Sequence, residues 1–206
     1  MLDRLILAFD GALRAVAGVT HPARPTPWGG ASDEPLSADD RRRVIGLMRV
    51  NHAGEVCAQA LYHGQALCAR DPQVRQELDR SATEEGDHLH WTRERLVALG
   101  GRTSLLDPVW YAGAFGIGVA AAVIGDRVSL GFLQETERQV VAHLDGHLGR
   151  LPAEDAASRA ILEAMRADEA AHAATAGRLG AMELPAPVRG AMRASANAMK
   201  CVAYYV

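Results

Sequence analysis

The chain has 206 residues, a formal net charge of −3 at pH 7 and 49% hydrophobic residues. These values are typical of one folded domain of ordinary size, and they exclude an intrinsically disordered chain. The nearly balanced charge includes no basic block, which argues against nucleic acid as the main partner. The three cysteines form no Cys-x-x-Cys motif and are interpreted as reduced thiols.

The N-terminal part of the chain combines a helix with a linker. An amphipathic helix is predicted over Met1–Gly18, where charged residues interrupt the apolar ones. The apolar residues of this helix are Leu2, Leu5, Ile6, Phe9, Leu13 and Val16. Residues Thr20–Pro35 are rich in proline and glycine, which predicts a linker or an extended strap. We therefore divide the chain into residues 1–36 and a helical domain over residues 37–206.

The helical domain is predicted to contain four long helices and a last helix that runs from Val188 to the C-terminus. The four long helices are predicted over residues 37–70, 72–99, 108–149 and 153–179. Ser37 opens the first of them as the cap of a Ser-x-x-Asp motif, and proline or glycine separates each helix from the next. No segment alternates apolar and polar residues as a half-buried strand does, so no sheet is predicted.

The third long helix begins with an apolar run. No charged residue occurs from Pro108 to Gly125, and this length reaches the roughly 18 residues that mark a candidate membrane span. Its glycines weaken the hydrophobicity, so a true span is not expected. Two interpretations stay open: a fully buried bundle helix, or a helix that partly faces lipid with Trp110, Tyr111 and Phe115 at the interface. We favour the second interpretation, which implies peripheral membrane contact.

The most informative motif is a glutamate three residues before a histidine, and it occurs twice. Glu85 precedes His88, and Glu169 precedes His172. Residues i and i+3 share one face of a helix, so each pair can reach toward the same point. One such pair carries little information, because glutamate and histidine are ordinary surface residues.

Each motif is preceded by a helix that carries a glutamate of its own, Glu55 in the first long helix and Glu137 in the third. Thirty residues separate Glu55 from Glu85, and thirty-two separate Glu137 from Glu169. Each interval is the length of one helical hairpin. The ordered set is the ligand list of a carboxylate-bridged dimetal site in a four-helix bundle. The predicted fold class is therefore all-α, a ferritin-like four-helix bundle with added N- and C-terminal helices.

The donor types restrict the metal. Four carboxylates and two imidazoles without a thiolate favour iron or manganese over a structural zinc ion. Four glutamates and two divalent ions cancel in formal charge, so the site can lie inside an apolar bundle. Any one glutamate is more often a solvated helix residue. Glu84, Asp168 and Glu135 are competing carboxylates, and Glu135 stays open as an alternative to Glu137.

Other polar residues near these motifs are weaker candidates. His52 lies three residues before Glu55, and His143 lies six residues after Glu137. Either histidine could orient a ligand or contact substrate, and for either a structural role is an equal alternative. Three polar residues of the second long helix are interpreted as surface residues: Asp87, His90 and Glu94.

Four segments together resemble the demethoxyubiquinone hydroxylase family of ubiquinone biosynthesis (the Coq7 type), which belongs to the ferritin-like di-iron carboxylate proteins. The segments are residues 51–55, 84–88, 135–139 and 168–172. The resemblance covers Ser37 to the C-terminus, and its most specific part is His-Ala-Gly-Glu at residues 52–55. It implies two iron ions bound by Glu55, Glu85, His88, Glu137, Glu169 and His172. The residues alone leave manganese open.

The resemblance also implies a reaction, substrates and a location. The enzyme would be an O2-dependent monooxygenase that hydroxylates the ring of demethoxyubiquinol, a polyprenyl-methoxy-methyl-benzoquinol. One atom of dioxygen would enter the ring and the other would leave as water, with electrons from a donor that the sequence does not identify. The protein would lie peripherally on the cytoplasmic face of the bacterial inner membrane, or on the matrix face in mitochondria. A second copy of the chain and other ubiquinone-biosynthesis proteins are open as further partners.

Three other functions are compatible with part of these observations. Iron oxidation and storage by a ferritin-like shell would use the same ligands, but it predicts polar outer faces, unlike the apolar run. A di-iron hydroxylase of another lipid fits, whereas one that acts on a nucleoside would need a basic entrance. A membrane-bound partner or lipid carrier without metal is disfavoured by the intact ligand set.

Overall fold

The computed structural model describes residues 2–19, 22–29 and 35–206. Seven helices lie in these ranges: α1 (Leu2–Ala17), α2 (Ala38–Cys68), α3 (Pro72–Ala98), α4 (Asp107–Ile124), α5 (Asp126–Leu148), α6 (Ala156–Arg178) and α7 (Ala186–Ala203). No strand occurs in the same ranges. The predicted all-α class is therefore confirmed.

The central bundle consists of α2, α3, α5 and α6, arranged as two antiparallel hairpins. Residues 69–71 join α2 to α3, and residues 149–155 join α5 to α6; connections this short place consecutive helices side by side. Ser37 caps α2 as predicted, because its hydroxyl oxygen accepts the backbone N–H of Asp40 at 3.1 Å. Asp71 caps α3 by accepting the N–H of Gln73 at 2.7 Å.

Apolar clusters hold the bundle together on both sides of its middle. One cluster includes Leu47 and Leu162, and the other includes Leu78 and Leu130, all of them at most 2% exposed. Full burial of one such leucine contributes about 1.5–3 kcal/mol to folding. The middle of the bundle can therefore carry polar residues without loss of the fold.

The prediction of one continuous third long helix over residues 108–149 is wrong. The chain breaks at Gly125, whose φ of 151° is accessible to glycine and strained for other residues. The carboxylate of Asp126 accepts two backbone N–H groups from the α2–α3 turn and ties the break to that turn. As a result α4 packs along the outside of α2, while α5 carries Glu137 into the bundle.

Glycines allow α4 to approach α2 closely. A Cβ atom at Gly118 would lie 2.6 Å from the carbonyl oxygen of Leu61, and one at Gly64 would lie 2.5 Å from the carbonyl oxygen of Phe115. Contacts this short leave no room for a side chain, so the two backbones touch directly. The close contact fixes α4 to the bundle over one face only.

The opposite face of α4 is apolar and exposed. Val109, Ile117, Val123 and Ile124 are between 46% and 69% exposed. By length and composition alone, α4 is the one helix of the described ranges that could cross a membrane, and only 33% of it is buried. Full burial, one of the two interpretations of this run, is therefore wrong. Tyr111, which was predicted at an interface with lipid, is itself buried.

The terminal segments surround this frame. α1 contacts the α2–α4 region through Ala12, Ala15 and Val16, while Ile6 and Leu13 are exposed. The structure does not describe the side chains of three apolar residues predicted for this helix, Leu2, Leu5 and Phe9. Residues 22–29, here called the strap, lie across α3. Residues 20, 21 and 30–34 of the predicted linker lie outside the described ranges. The predicted division of the chain at residue 36 stays a prediction.

Gly118→Ala is expected to destabilise the protein by about 1–3 kcal/mol, the usual range for overpacking. Gly116→Ala on the same helix is the matched control, because a Cβ at Gly116 meets nothing within 4 Å. The control should be neutral or stabilising by up to about 1 kcal/mol, since alanine is the better helix former. Urea denaturation followed by circular dichroism measures both variants, and equal stabilities would contradict the close α2–α4 contact.

Candidate metal centre

Six buried side chains meet in the middle of the bundle, between the two apolar clusters. They are Glu55 from α2, Glu85 and His88 from α3, Glu137 from α5, and Glu169 and His172 from α6. None of them is more than 3% exposed. The structure thus brings together every residue that the sequence motifs predicted for the site.

The six side chains form two overlapping groups of donor atoms. The groups are Glu55, Glu85, His88 and Glu169, and Glu85, Glu137, Glu169 and His172. Within each group the donor atoms lie within 4.8 Å of one another. Glu85 and Glu169 belong to both groups, so each can reach two neighbouring cations. This arrangement could hold two metal ions side by side.

Unpaired oxygens in the cluster indicate that it fits cations. Glu55 Oε2 and Glu137 Oε2 are buried and accept no hydrogen bond from the described part of the chain. A buried carboxylate oxygen without a hydrogen bond or a cation is unfavourable. A bound metal ion would supply the missing interaction for both of these oxygens.

The pKa values in the cluster agree with this fit. Burial raises the pKa of Glu55 and that of Glu137 well above the usual value. Burial by itself would lower the pKa of His172, but hydrogen bonds to Glu169 and Glu85 outweigh it and raise that pKa to about 12. The cluster therefore retains protons among its carboxylates, and divalent ions would displace them on binding.

An outer carboxylate contacts each histidine of the cluster. His88 Nδ1 lies 3.2 Å from Glu85 Oε2, while its Nε2 lies 2.9 Å from Asp168 Oδ2. In the same way His172 Nε2 lies 2.7 Å from Glu84 Oε2. A proton on Nε2 that is donated to the outer carboxylate leaves Nδ1 free for a metal. Asp168 and Glu84, which competed as ligands in the sequence, thus contact the histidine of the opposite helix instead.

The geometry favours Glu137 over Glu135 on α5. Glu135 lies outside both donor groups, and its Oε1 accepts a hydrogen bond from Gln139 at 2.7 Å. The Oε1 atom of Glu137 accepts one from the hydroxyl of Tyr62 at 2.8 Å. Sequence reasoning missed Tyr62, although it lies seven residues after Glu55 and therefore on the same helix face.

His52 supports the cluster from outside. Its Nδ1 lies 3.1 Å from the hydroxyl of Thr92, which donates a hydrogen bond to the backbone carbonyl of His88 at 2.8 Å. Burial lowers the pKa of His52 to about 3, so this imidazole is neutral at ordinary pH. The contact holds the turn of α3 that carries His88.

The interpretation of Asp87 as a surface residue is wrong, since it is 2% exposed. It accepts hydrogen bonds from the backbone N–H of Ala23 and from the side-chain Nε of Arg24, both at 2.7 Å. These partners belong to the strap, more than 60 residues away in sequence. No local pattern around Asp87 could have indicated them.

An apolar cavity of about 770 Å³ opens beside the cluster, and Glu55, Glu137 and Glu169 form part of its wall. Residues of α2, α4, α5 and α7 form the rest. Its apolar lining includes Leu61, Trp110, Ile117, Phe132, Met192 and Met199. The cavity thus connects the carboxylates to a space large enough for a small-molecule ligand.

His143 is one of the polar residues of the cavity wall. Its ring centroid lies 3.9 Å from that of His147. Its Nε2 is buried without a hydrogen bond to the described residues. Burial lowers the pKa of His143 to about 4, so the ring is neutral and can accept or donate one hydrogen bond.

Fold and site define a class of protein: a ferritin-like helical bundle with a paired carboxylate–histidine centre beside an apolar cavity. The chain matches the family model of the ubiquinone biosynthesis protein COQ7 over residues 42–203, and it belongs to this family. It is 55% identical to the 3-demethoxyubiquinol 3-hydroxylases of Ralstonia pickettii and Aromatoleum aromaticum, and 57% identical to that of Cupriavidus necator. Each of these alignments covers 100% of both chains.

Metal content should depend on whether the substituted glutamate belongs to one donor group or to both. Glu169→Ala is expected to lose both ions, because Glu169 is shared, while Glu137→Ala is expected to keep one. Glu135→Ala is the matched control on α5 and should bind as much metal as the unaltered protein. Elemental analysis after metal loading and gel filtration measures all three. Equal losses in Glu135→Ala and Glu137→Ala would contradict the assignment of Glu137.

Proposed function

We propose that the chain is an O2-dependent di-iron monooxygenase that hydroxylates the ring of demethoxyubiquinol, the activity that the names of its relatives state for them. One observation carries the proposal: the cavity of about 770 Å³ is apolar and reaches three carboxylates of the candidate centre. A polyprenyl quinol combines a compact ring with a long apolar tail, and both parts suit such a cavity. Iron storage requires no cavity of this kind.

Iron is the metal that we propose for the centre. Carboxylates and imidazoles without thiolate suit iron or manganese, and membership of the family supports iron. Glu55, Glu85, His88, Glu137, Glu169 and His172 would hold the ions. When bound, the iron would supply the binding and reductive activation of dioxygen.

The protein's own residues keep the donors oriented and the cavity dry. Asp168 and Glu84 hold the protons on Nε2 of His88 and His172, and the hydroxyl of Tyr62 fixes one oxygen of Glu137. The apolar walls exclude water from the reacting ring. We assign His143 Nε2, which has no hydrogen bond among the described residues, to a ring oxygen of the quinol.

We also propose that the protein is peripherally attached to the cytoplasmic face of a bacterial inner membrane. The exposed apolar face of α4 supports attachment to a membrane. Val109 and Ile117 belong both to that face and to the cavity wall. A quinol dissolved in the bilayer would therefore enter the cavity without its tail crossing water.

The activity is tested with 18O2, a reductant and a demethoxyubiquinol analogue, with mass spectrometry to locate the label. The iron-loaded protein should place one labelled atom in the product ring. Gly113→Leu should lower kcat/KM by about tenfold or more, which corresponds to at least about 1.4 kcal/mol. Gly113 lines the cavity and a side chain there meets nothing else within 4 Å.

Gly116→Leu is the control for this measurement, because Gly116 is equally open but is not part of the cavity lining. It should leave the rate near that of the unaltered protein, and both variants should keep their metal. A folded, iron-loaded protein that labels no quinol would overturn the proposed activity. Equal rates for the two leucine variants would overturn the role of the cavity.

Membrane attachment is tested by co-sedimentation with vesicles that contain anionic phospholipid. The double variant Val123→Glu and Ile124→Glu should reduce vesicle binding by about tenfold or more, because two charges replace apolar side chains that would be buried in lipid on binding. Val123 is 58% exposed and Ile124 is 69% exposed, so the fold should tolerate both substitutions. Ala174→Glu on the exposed side of α6 is the control. Unchanged binding by the double variant would refute attachment through α4.

A further inference from the structure

The strap binds directly behind the candidate metal centre. Arg24 Nε donates a hydrogen bond to Asp87 Oδ2 at 2.7 Å, and Arg24 Nη1 donates one to Asp168 Oδ2 at 2.8 Å. The backbone N–H of Ala23 donates to Asp87 Oδ1 at 2.7 Å. One arginine of the N-terminal segment thus joins a carboxylate of α3 to a carboxylate of α6.

Further contacts hold the strap in place. The Arg24 guanidinium lies over the ring of Trp91, 4.8 Å from its centroid, in cation–π geometry. The hydroxyl of Thr26 donates to Glu94 Oε2 at 2.7 Å, and Trp28 packs against an apolar cluster of the bundle. The position of Arg24 therefore depends on several interactions of different kinds.

A single oxygen atom connects Arg24 to a histidine of the centre. Asp168 Oδ2 accepts the hydrogen bond from Arg24 and lies 2.9 Å from Nε2 of His88. Arg24 is 39% exposed, so its ion pair by itself adds little stability. Its effect on the site is geometric, because it fixes the carboxylate that in turn fixes the ring of His88.

The other half of the centre has the same arrangement built from local residues. Glu84, which contacts Nε2 of His172, also forms an ion pair with Arg80 four residues earlier on α3. An arginine therefore stands behind the outer carboxylate in both halves. In the half that contains His88 this arginine comes from a segment 144 residues away from its carboxylate.

We infer that Arg24 is a positioning residue for His88, and that docking of the strap and metal binding by the donor group of His88 are coupled. The inference rests on the proposed metal centre and extends it to the N-terminal segment. Coupling of this kind is reciprocal. Metal should therefore strengthen docking of the strap, and loss of strap contacts should weaken metal binding in one half of the centre.

The first test is a titration with Co²⁺, which reports each binding event by its visible absorption. Arg24→Gln should weaken one of the two events by about 10- to 100-fold, the usual effect of removing an outer hydrogen-bond partner, and leave the other near its normal affinity. Arg24→Lys should give an intermediate loss, because an ammonium group does not bridge two carboxylates as a guanidinium does. Arg14→Gln, which removes only an exposed pair with Asp10, is the control.

Amide hydrogen exchange supplies a second readout that a purely structural role would not change. Adding Co²⁺ to the unaltered full chain should slow exchange in residues 22–29, particularly at the N–H of Ala23. The same addition to Arg24→Gln should leave exchange in these residues unchanged. Retention of the second Co²⁺ event in this variant would show that the bundle is folded.

The outcomes separate this inference from the function on which it rests. Two Co²⁺ events with normal affinities in Arg24→Gln would overturn the inference and leave the metal centre intact. Absence of Co²⁺ binding to the unaltered protein would overturn both. Exchange in the strap that does not respond to Co²⁺ in the unaltered protein would also overturn the coupling.

Discussion

Four buried glutamate carboxylates in one layer of the bundle are the constraint on which the rest of the structure depends. Charges of the same sign this close repel one another strongly unless protons or cations lie between them. Leucine-rich clusters on both sides of the layer hold the four helices in place and allow this arrangement. From the centre outward, each half then has the same order of groups: carboxylate, imidazole, outer carboxylate and arginine.

The two sides of the centre differ, and the difference suits the proposed reaction. Behind His88, Arg24 of the strap and Trp91 of α3 close the centre. On the other side Glu55, Glu137 and Glu169 border the apolar cavity. The break at Gly125 contributes to this asymmetry, because it frees α4 from the line of α5 and makes it a wall of the cavity. This one helix break thus contributes to both the cavity and the apolar outer face of α4.

The ligand set could be predicted because it is encoded by local spacing. The two residues of each Glu-x-x-His motif lie within one turn of a helix. The intervals Glu55–Glu85 and Glu137–Glu169 have similar lengths and indicate two hairpins. The break at Gly125 could not be predicted, since Gly113, Gly116 and Gly118 in the same run stay helical. Gly125 differs from these glycines because its neighbour Asp126 accepts hydrogen bonds from the α2–α3 turn, which is more than 50 residues away in sequence.

The surroundings of the ligands depend on the same kind of distant contact. Asp87 resembles any acidic helix residue in the sequence, and its burial results from the strap. Whether Asp168 or Glu169 faces the centre is likewise decided only when α3 and α6 meet. Sequence therefore predicts which residues form the centre, whereas their outer partners require the folded chain.

The central claim is most directly tested by the metal content of the unaltered protein, purified without added metal and analysed for all transition elements. We predict about two iron ions per chain, one for each of the two overlapping donor groups that could hold a metal ion. Protein that contains no iron, and that takes up none from anaerobic Fe²⁺ while folded, would contradict the account.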